Sequence, residues 1–128
     1  MPAIEIADNR FENASSRAED NVADNSGASL VILGGMVSPL AEIDLRLIGM
    51  VLEENGEVIS TDAGAAVLGN PSHAVACLAN KLSVFGMGLK VGNIVISVTP
   101  VAAVPAKTGG FLRTTFDRIG SVSVRFTE

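Results

Sequence analysis

Glu5 and Asp8 bracket the end of a short apolar–polar alternation, and Glu12 follows them. Three carboxylates converging on one pocket could hold Mg²⁺ or Mn²⁺, hard cations that prefer oxygen ligands. Such a site needs two or three ligands, and spacing alone does not gather these, so solvated surface acids explain them more readily when the residues are read by themselves. His73 is the single imidazole. Near the start of a helix it could act as a general base, yet no neighbouring Ser or Cys nucleophile completes a triad, and a partly exposed helix residue is the plainer reading. Cys77 has no positive group beside it to favour the thiolate and reads as a small core or near-core residue. Asn25-Ser26 and Ser60-Thr61 could hydrogen-bond a carboxylate, although turn and cap roles account for them equally well. Gly64-Ala-Ala-Val-Leu-Gly69 precedes a helix but lacks the Gly-Lys-Ser/Thr of a P-loop and the spacing of a dinucleotide fingerprint, so it reads as close packing.

The elements that must position these groups belong to a chain of 128 residues, enough for one domain and not comfortably for two. Hydrophobic residues at 48% and charged residues at 18% exclude a wholly disordered chain. Apolar runs such as Ser29–Leu33 and Ile94–Ile96 are far shorter than a bilayer span. Met1–Asn25 has no basic start and apolar stretch of the signal-peptide kind, and one cysteine permits neither an intramolecular disulfide nor a cysteine-based zinc site. The expectation is a soluble, cytoplasmic protein with no membrane partner. Of the net charge of −5, residues 1–28 hold −4 and the rest −1. No Lys/Arg cluster is present to displace phosphate counterions, Trp and Tyr are absent, and nucleic acid is excluded as a partner.

Pro2–Ala7 alternates around Ile4 and Ile6 and predicts a strand, with Glu5 pointing away from their face. Residues 8–25 predict a polar loop with one helical turn, and Ser29–Leu33 a strand ending at Gly34–Gly35. Asn55–Gly56 between Leu45–Glu54 and Glu57–Thr61 predicts a hairpin with a type I′ turn. Asn70 and Pro71 supply an N-cap and first helical residue, and Gly86 a C-cap, for a helix over 71–85. Val75, Leu78, Leu82 and Phe85 form the stripe through which that helix is expected to pack. Asn93–Val98, Phe111–Phe116 and Val122–Phe126 predict further strands, with turns at Gly109–Gly110 and Ile119–Gly120 and a loop marked by Pro100 and Pro105. The expected fold is a single α+β domain over 1–128, rich in β, with one central helix.

Together these segments resemble the C-terminal half of the 2-keto-4-pentenoate hydratase and 4-oxalocrotonate decarboxylase family, in the fumarylacetoacetate hydrolase superfamily. The residues that carry the resemblance are Pro2-Ala-Ile-Glu-Ile-Ala-Asp8 with Arg10, Asp20-Asn-Val-Ala-Asp-Asn25, Val31-Ile-Leu-Gly-Gly35 and Asn55-Gly-Glu-Val-Ile-Ser-Thr61. They continue through Gly64-Ala-Ala-Val-Leu-Gly-Asn-Pro71, Ala74-Val-Ala76 with Leu78-Ala-Asn80, and Gly120-Ser-Val-Ser-Val-Arg-Phe126. The glycine-rich segment running into the helix is the most specific piece.

The resemblance implies a β-rich mixed-sheet fold, homo-oligomeric assembly, and a divalent-metal-dependent lyase acting on small 2-oxo or 2-hydroxydienoic acids in aromatic catabolism. Mg or Mn is the implied cofactor. The family holds its metal with a Glu-x-Glu pair from the upstream half and a third Glu that matches Glu5, and its catalytic lysine and a further acid are also upstream. Glu42-Ile-Asp44 falls in a different aligned segment and does not replace the pair. Asp8, Asn25, Ser26 and Thr61 are the candidates to support the metal ligand or to touch substrate. Ala14-Ser15 stands where relatives usually carry Trp-Lys, Ser97-Val98 where they show Ser-Gly, and Gly110 where Asp is common. Metal binding is therefore expected to be weak and the isolated half impaired, with a non-catalytic binding or structural domain as the alternative.

Overall fold

A computed structural model of the chain describes residues 1–11, 17–35, 37–97 and 101–128. Glu12, Ala14, Ser15, Val98 and Pro100, on which some of the expectations rest, lie outside that set. The alternation at the N-terminus forms β1 (Ala3–Ala7), which pairs antiparallel with β2 (Ala28–Leu33), Glu5 lying opposite Val31. The polar segment between them carries one short helix, α1 (Ala18–Ala23), and a turn at Asn25–Gly27.

A second sheet has the order β4-β3-β5-β6, from β3 (Gly49–Glu54), β4 (Glu57–Ala63), β5 (Phe111–Phe116) and β6 (Gly120–Arg125). The β3–β4 hairpin turns at Asn55 and Gly56 with φ of 53° and 89°, the positive pair a type I′ turn needs. Asn55 also ties the hairpin to β5, its N–H donating to the Phe111 carbonyl and its side-chain oxygen accepting from the Phe111 N–H. Every strand pair among the described residues is antiparallel, in place of the mixed sheet the resemblance implies. Hairpins link β3 to β4 and β5 to β6, and such short links permit only antiparallel pairing.

Opposite residues in antiparallel strands share a face, so Met50 with Phe116, Leu52 with Thr114 and Thr114 with Val122 put one apolar stripe across three strands. Met50, Leu112 and Val122 are buried there, with Ile48, Val67 and Ile119 beside them. Residues 45–48 precede β3 rather than extending it. Asp44 caps a 3-10 turn at Leu45–Leu47 by accepting from the Arg46 N–H, which diverts the backbone from strand geometry. Gly64 lies against this turn, and a Cβ added there would strike the Leu45 carbonyl. The small-residue segment before the helix thus serves close backbone approach.

The helix α2 (Pro71–Ser83) starts at Asn70, whose side chain accepts from the Ser72 N–H, and Pro71 occupies its first turn. It ends with Gly86 at φ 68°, the Met87 N–H reaching back to the Leu82 carbonyl. Its expected packing stripe is not core. Val75 and Leu78 are 36% and 38% exposed and Phe85 is 65% exposed, because α2 rests on the Leu45–Leu47 turn and not on the four-stranded sheet. Asn93–Ser97 likewise forms no strand. Asn93 folds back instead, its side chain accepting from the Lys90 N–H and its own N–H donating to the Lys90 carbonyl. Among the described residues no helix is long and apolar enough to cross a membrane.

If the Leu112 face is the core, Leu112→Ala (8% exposed) should lose about 2–5 kcal/mol in urea unfolding. Val22→Ala on α1 (79% exposed) should stay within about 0.5 kcal/mol of the parent protein. Equal losses would show that the stripe does not carry the fold.

Candidate functional site

A hollow beside β1 has a volume of about 520 Å³. Its walls are β1, the Met50–Leu52 and Leu112–Thr114–Phe116 stripe, the segment Val101–Ala106 with Ile96 and Ser97, and Phe126. Volumes of several hundred Å³ are those of small-molecule sites. Glu5 lies on its β1 wall and is the one charged residue on the described lining. All five residues of β1 contribute to that wall, and Ile4 and Ile6 are half-buried while Glu5 between them stays exposed, its side chain on the opposite face of the strand.

The other candidates lie elsewhere. The Asp8 N–H donates to the Gly27 carbonyl across the irregularity at the end of the β1–β2 pair. Asn25 and Ser26 have φ of 51° and 57° and lead into Gly27, so three successive residues are left-handed. Ser26 lines a separate hollow of about 30 Å³, the size of a water site, with Asn9 and Asp24. Thr61 is exposed on β4, an edge strand, opposite Val51. Of the five, only Glu5 reaches the large cavity; Asp8, Asn25 and Ser26 cluster at the β1–β2 exit and Thr61 stands apart. Asp44 of the Glu42-Ile-Asp44 segment is engaged by Arg46, whose Nε and terminal nitrogen reach its two oxygens at 3.0 and 2.6 Å. A ring nitrogen of His73 lies 3.1 Å from the Leu68 carbonyl, tying α2 to the preceding turn, and Cys77 is exposed rather than in or near the core.

Two residues of consequence escaped the sequence reading. Thr114 is 4% exposed, and its Oγ1 has no hydrogen-bond partner. The signal was the alternation Leu112-Thr114-Phe116, which puts a hydroxyl in an apolar stripe. Asp24, 6% exposed, is the buried anchor of the turn. The Arg10 guanidinium donates at 2.9 Å to both the Asp24 carboxylate and its carbonyl, and at 3.1 Å to the Ala28 carbonyl. The Arg10 side chain above all holds the Asp24 carboxyl below the usual carboxylate range, against the opposing pull of desolvation. Arg46 does the same to Asp44, drawing it down to about 2.

No protein-family model matches this sequence. Individual proteins do. Over 126 residues the chain is 40% identical to a 4-oxalocrotonate decarboxylase of Pseudomonas sp. (strain CF600), covering 98% of this chain and 48% of that protein. A 2-keto-4-pentenoate hydratase of Burkholderia vietnamiensis is 39% identical over 128 residues, 100% of this chain and 49% of the relative. A solved structure of 4-oxalocrotonate decarboxylase from Pseudomonas putida G7, complexed with magnesium and adipate, superposes with a TM-score of 0.90 at 42% identity, over 98% of this chain and 48% of that one. The architecture is consistent with the fumarylacetoacetate hydrolase type of fold. Within it, the chain is homologous to the 2-keto-4-pentenoate hydratase and 4-oxalocrotonate decarboxylase family and spans about half the length of the curated relatives it matches, consistent with their C-terminal half.

Both lowered aspartates make stability depend on acid. Each contributes fully above its unfolded value near 3.8 and loses that contribution as pH falls through its lower folded value. Urea unfolding should show stability dropping between about pH 4 and about pH 2, and Asp24→Asn should be weaker at neutral pH with a shallower drop in that window. An unchanged slope in the variant would remove Asp24 from the account.

Proposed function

We propose that this chain is built for divalent-metal-dependent lyase chemistry on 2-hydroxy-2,4-dienoates or closely related 2-oxo acids of aromatic-compound degradation. The observation that carries the reading is Glu5 on the wall of an apolar cavity of small-molecule size, in a chain homologous almost end to end with hydratases and decarboxylases of that kind. Apolar walls exclude water and accept the hydrocarbon part of such an acid. A divalent cation, when bound, offsets the charge of the acid's carboxylate and of an enolate.

The described residues do not by themselves build a site for that cation. Among them no three His, Cys, Asp or Glu side chains converge, and Glu5 stands on the cavity wall as one carboxylate. Mg²⁺ keeps its hydration shell unless several ligands replace it. That shortfall supports an impaired activity for the isolated chain, and it favours the second reading of a non-catalytic binding or structural domain. Calorimetry should find weak or undetectable Mg²⁺ and Mn²⁺ binding, and an ultraviolet assay little or no loss of dienoate. Tight binding abolished by Glu5→Gln, together with turnover, would overturn both the impairment and the second reading.

Assembly follows from the helix. Val75, Leu78, Val84 and Phe85 leave an apolar face on and just beyond α2, of a kind that usually becomes an interface. A homo-oligomer covering this face is the expected state, and light scattering returning a clean monomer at micromolar concentration would count against it.

A further inference from the structure

Asn55 is the one asparagine in the chain that is followed by glycine. Asparagine side chains are thermolabile, and a following glycine leaves the next backbone nitrogen unhindered by any side chain. Asn55 and Gly56 are both exposed at the tip of the β3–β4 hairpin, where water reaches them. That nitrogen can displace the side-chain amide only if it swings round to the Asn55 Cγ, and the closed turn opposes this twice. Asn55 has φ of 53°, and ψ of about +30° at this position of a type I′ turn points the Gly56 nitrogen away from the Asn55 Cβ. The side-chain oxygen is also held, accepting at 3.1 Å from the Phe111 N–H.

We propose that Asn55 is a site of spontaneous deamidation, shielded while the hairpin is closed, whose isoaspartyl product frees β5 from the hairpin. When the turn opens, the Gly56 nitrogen gives up its proton and attacks the Asn55 Cγ. A carbon–nitrogen bond forms there, the bond to Nδ2 breaks, and the amide leaves as ammonia with that proton. Water then opens the cyclic imide at one of its two carbonyls. Opening at Cγ restores the main chain and leaves aspartate, whose carboxylate accepts the same bond from Phe111. Opening at the main-chain carbonyl leaves isoaspartate, in which the chain runs through Cβ, one bond longer, and the free carboxylate sits directly on Cα. A hairpin's register is fixed by the type and length of its turn, so the longer chain and displaced oxygen break the link to Phe111. Phe111 begins β5, and the next residue, Leu112, belongs to both the core and the cavity wall.

The test holds the full chain in warm, mildly alkaline buffer, folded and in parallel in urea, and follows Asn55 by peptide mass spectrometry. In urea Asn55 should convert ahead of the other asparagines. In the folded protein it should still convert, at least about tenfold more slowly, because the turn must open first. An aspartate-directed endoprotease, which does not cut at isoaspartate, tells the two products apart. The Phe111 N–H should exchange with solvent at least about tenfold faster in the isoaspartyl form, and within about threefold of the parent rate in Asn55→Asp. Equal conversion rates in the folded protein and in urea would overturn the shielding. No conversion of the folded protein would remove the site. Unchanged Phe111 exchange in the isoaspartyl form would overturn the release of β5. Equal loss of protection in Asn55→Asp would do the same, by assigning the effect to a new charge beside Glu53, Glu54 and Glu57.

Discussion

A slip of one residue between β3 and β5 would turn Leu112, Thr114 and Phe116 to the face of the sheet opposite Met50 and Leu52. The cavity would lose that wall, and the core around Leu112 and Val122 would be exposed. The register is therefore the constraint on which the rest depends. The Asn55–Gly56 turn sets the pairing of β3 with β4, and Asn55 then bonds Phe111 on β5 through both its backbone and its side chain. One residue thus joins a local turn preference to the long-range pairing that builds the site.

The other wall depends on a polar clamp. β1 carries Glu5 and must be held against the sheet with its alternation intact. Arg10, just beyond β1, reaches Asp24 and Ala28 on the far side of the polar segment. The Asp8 N–H closes on Gly27 beside it. Burying Asp24 is tolerable because the guanidinium and the Arg10 N–H satisfy its carboxylate. The left-handed backbone at Asn25 and Ser26 persists because this network holds it on both sides.

Local signals were legible wherever the chain answers to its neighbours in sequence. The turn at Asn55–Gly56, the cap at Asn70, the alternation of β1 and the close approach at Gly64 all follow from residue types within a few positions. The failures were of another kind. The stripe Val75–Leu78–Leu82–Phe85 correctly indicated a helix, but periodicity says which side is apolar and not what lies against it. Asn93–Val98 had strand composition, yet its described residues lie against no strand edge, and a side-chain bond at Lys90 and Asn93 is made instead. Leu45–Leu47 had strand composition too, and one aspartate cap outweighed it.

For the site, the sequence by itself determined that a carboxylate stands on the outward side of β1, since a period of two leaves Glu5 no alternative once Ile4 and Ile6 face inward. It also determined that Ile94–Ala106 holds no charged residue, which leaves the cavity wall drawn from that stretch uncharged. Only the tertiary structure decided that Glu5 shares a cavity with Thr114, residues more than a hundred positions apart, and that Asp8, Asn25 and Ser26 serve the β1–β2 exit instead. Long-range pairing made that choice. Which face meets which is set by burial summed over the whole sheet, and no window of sequence contains that sum.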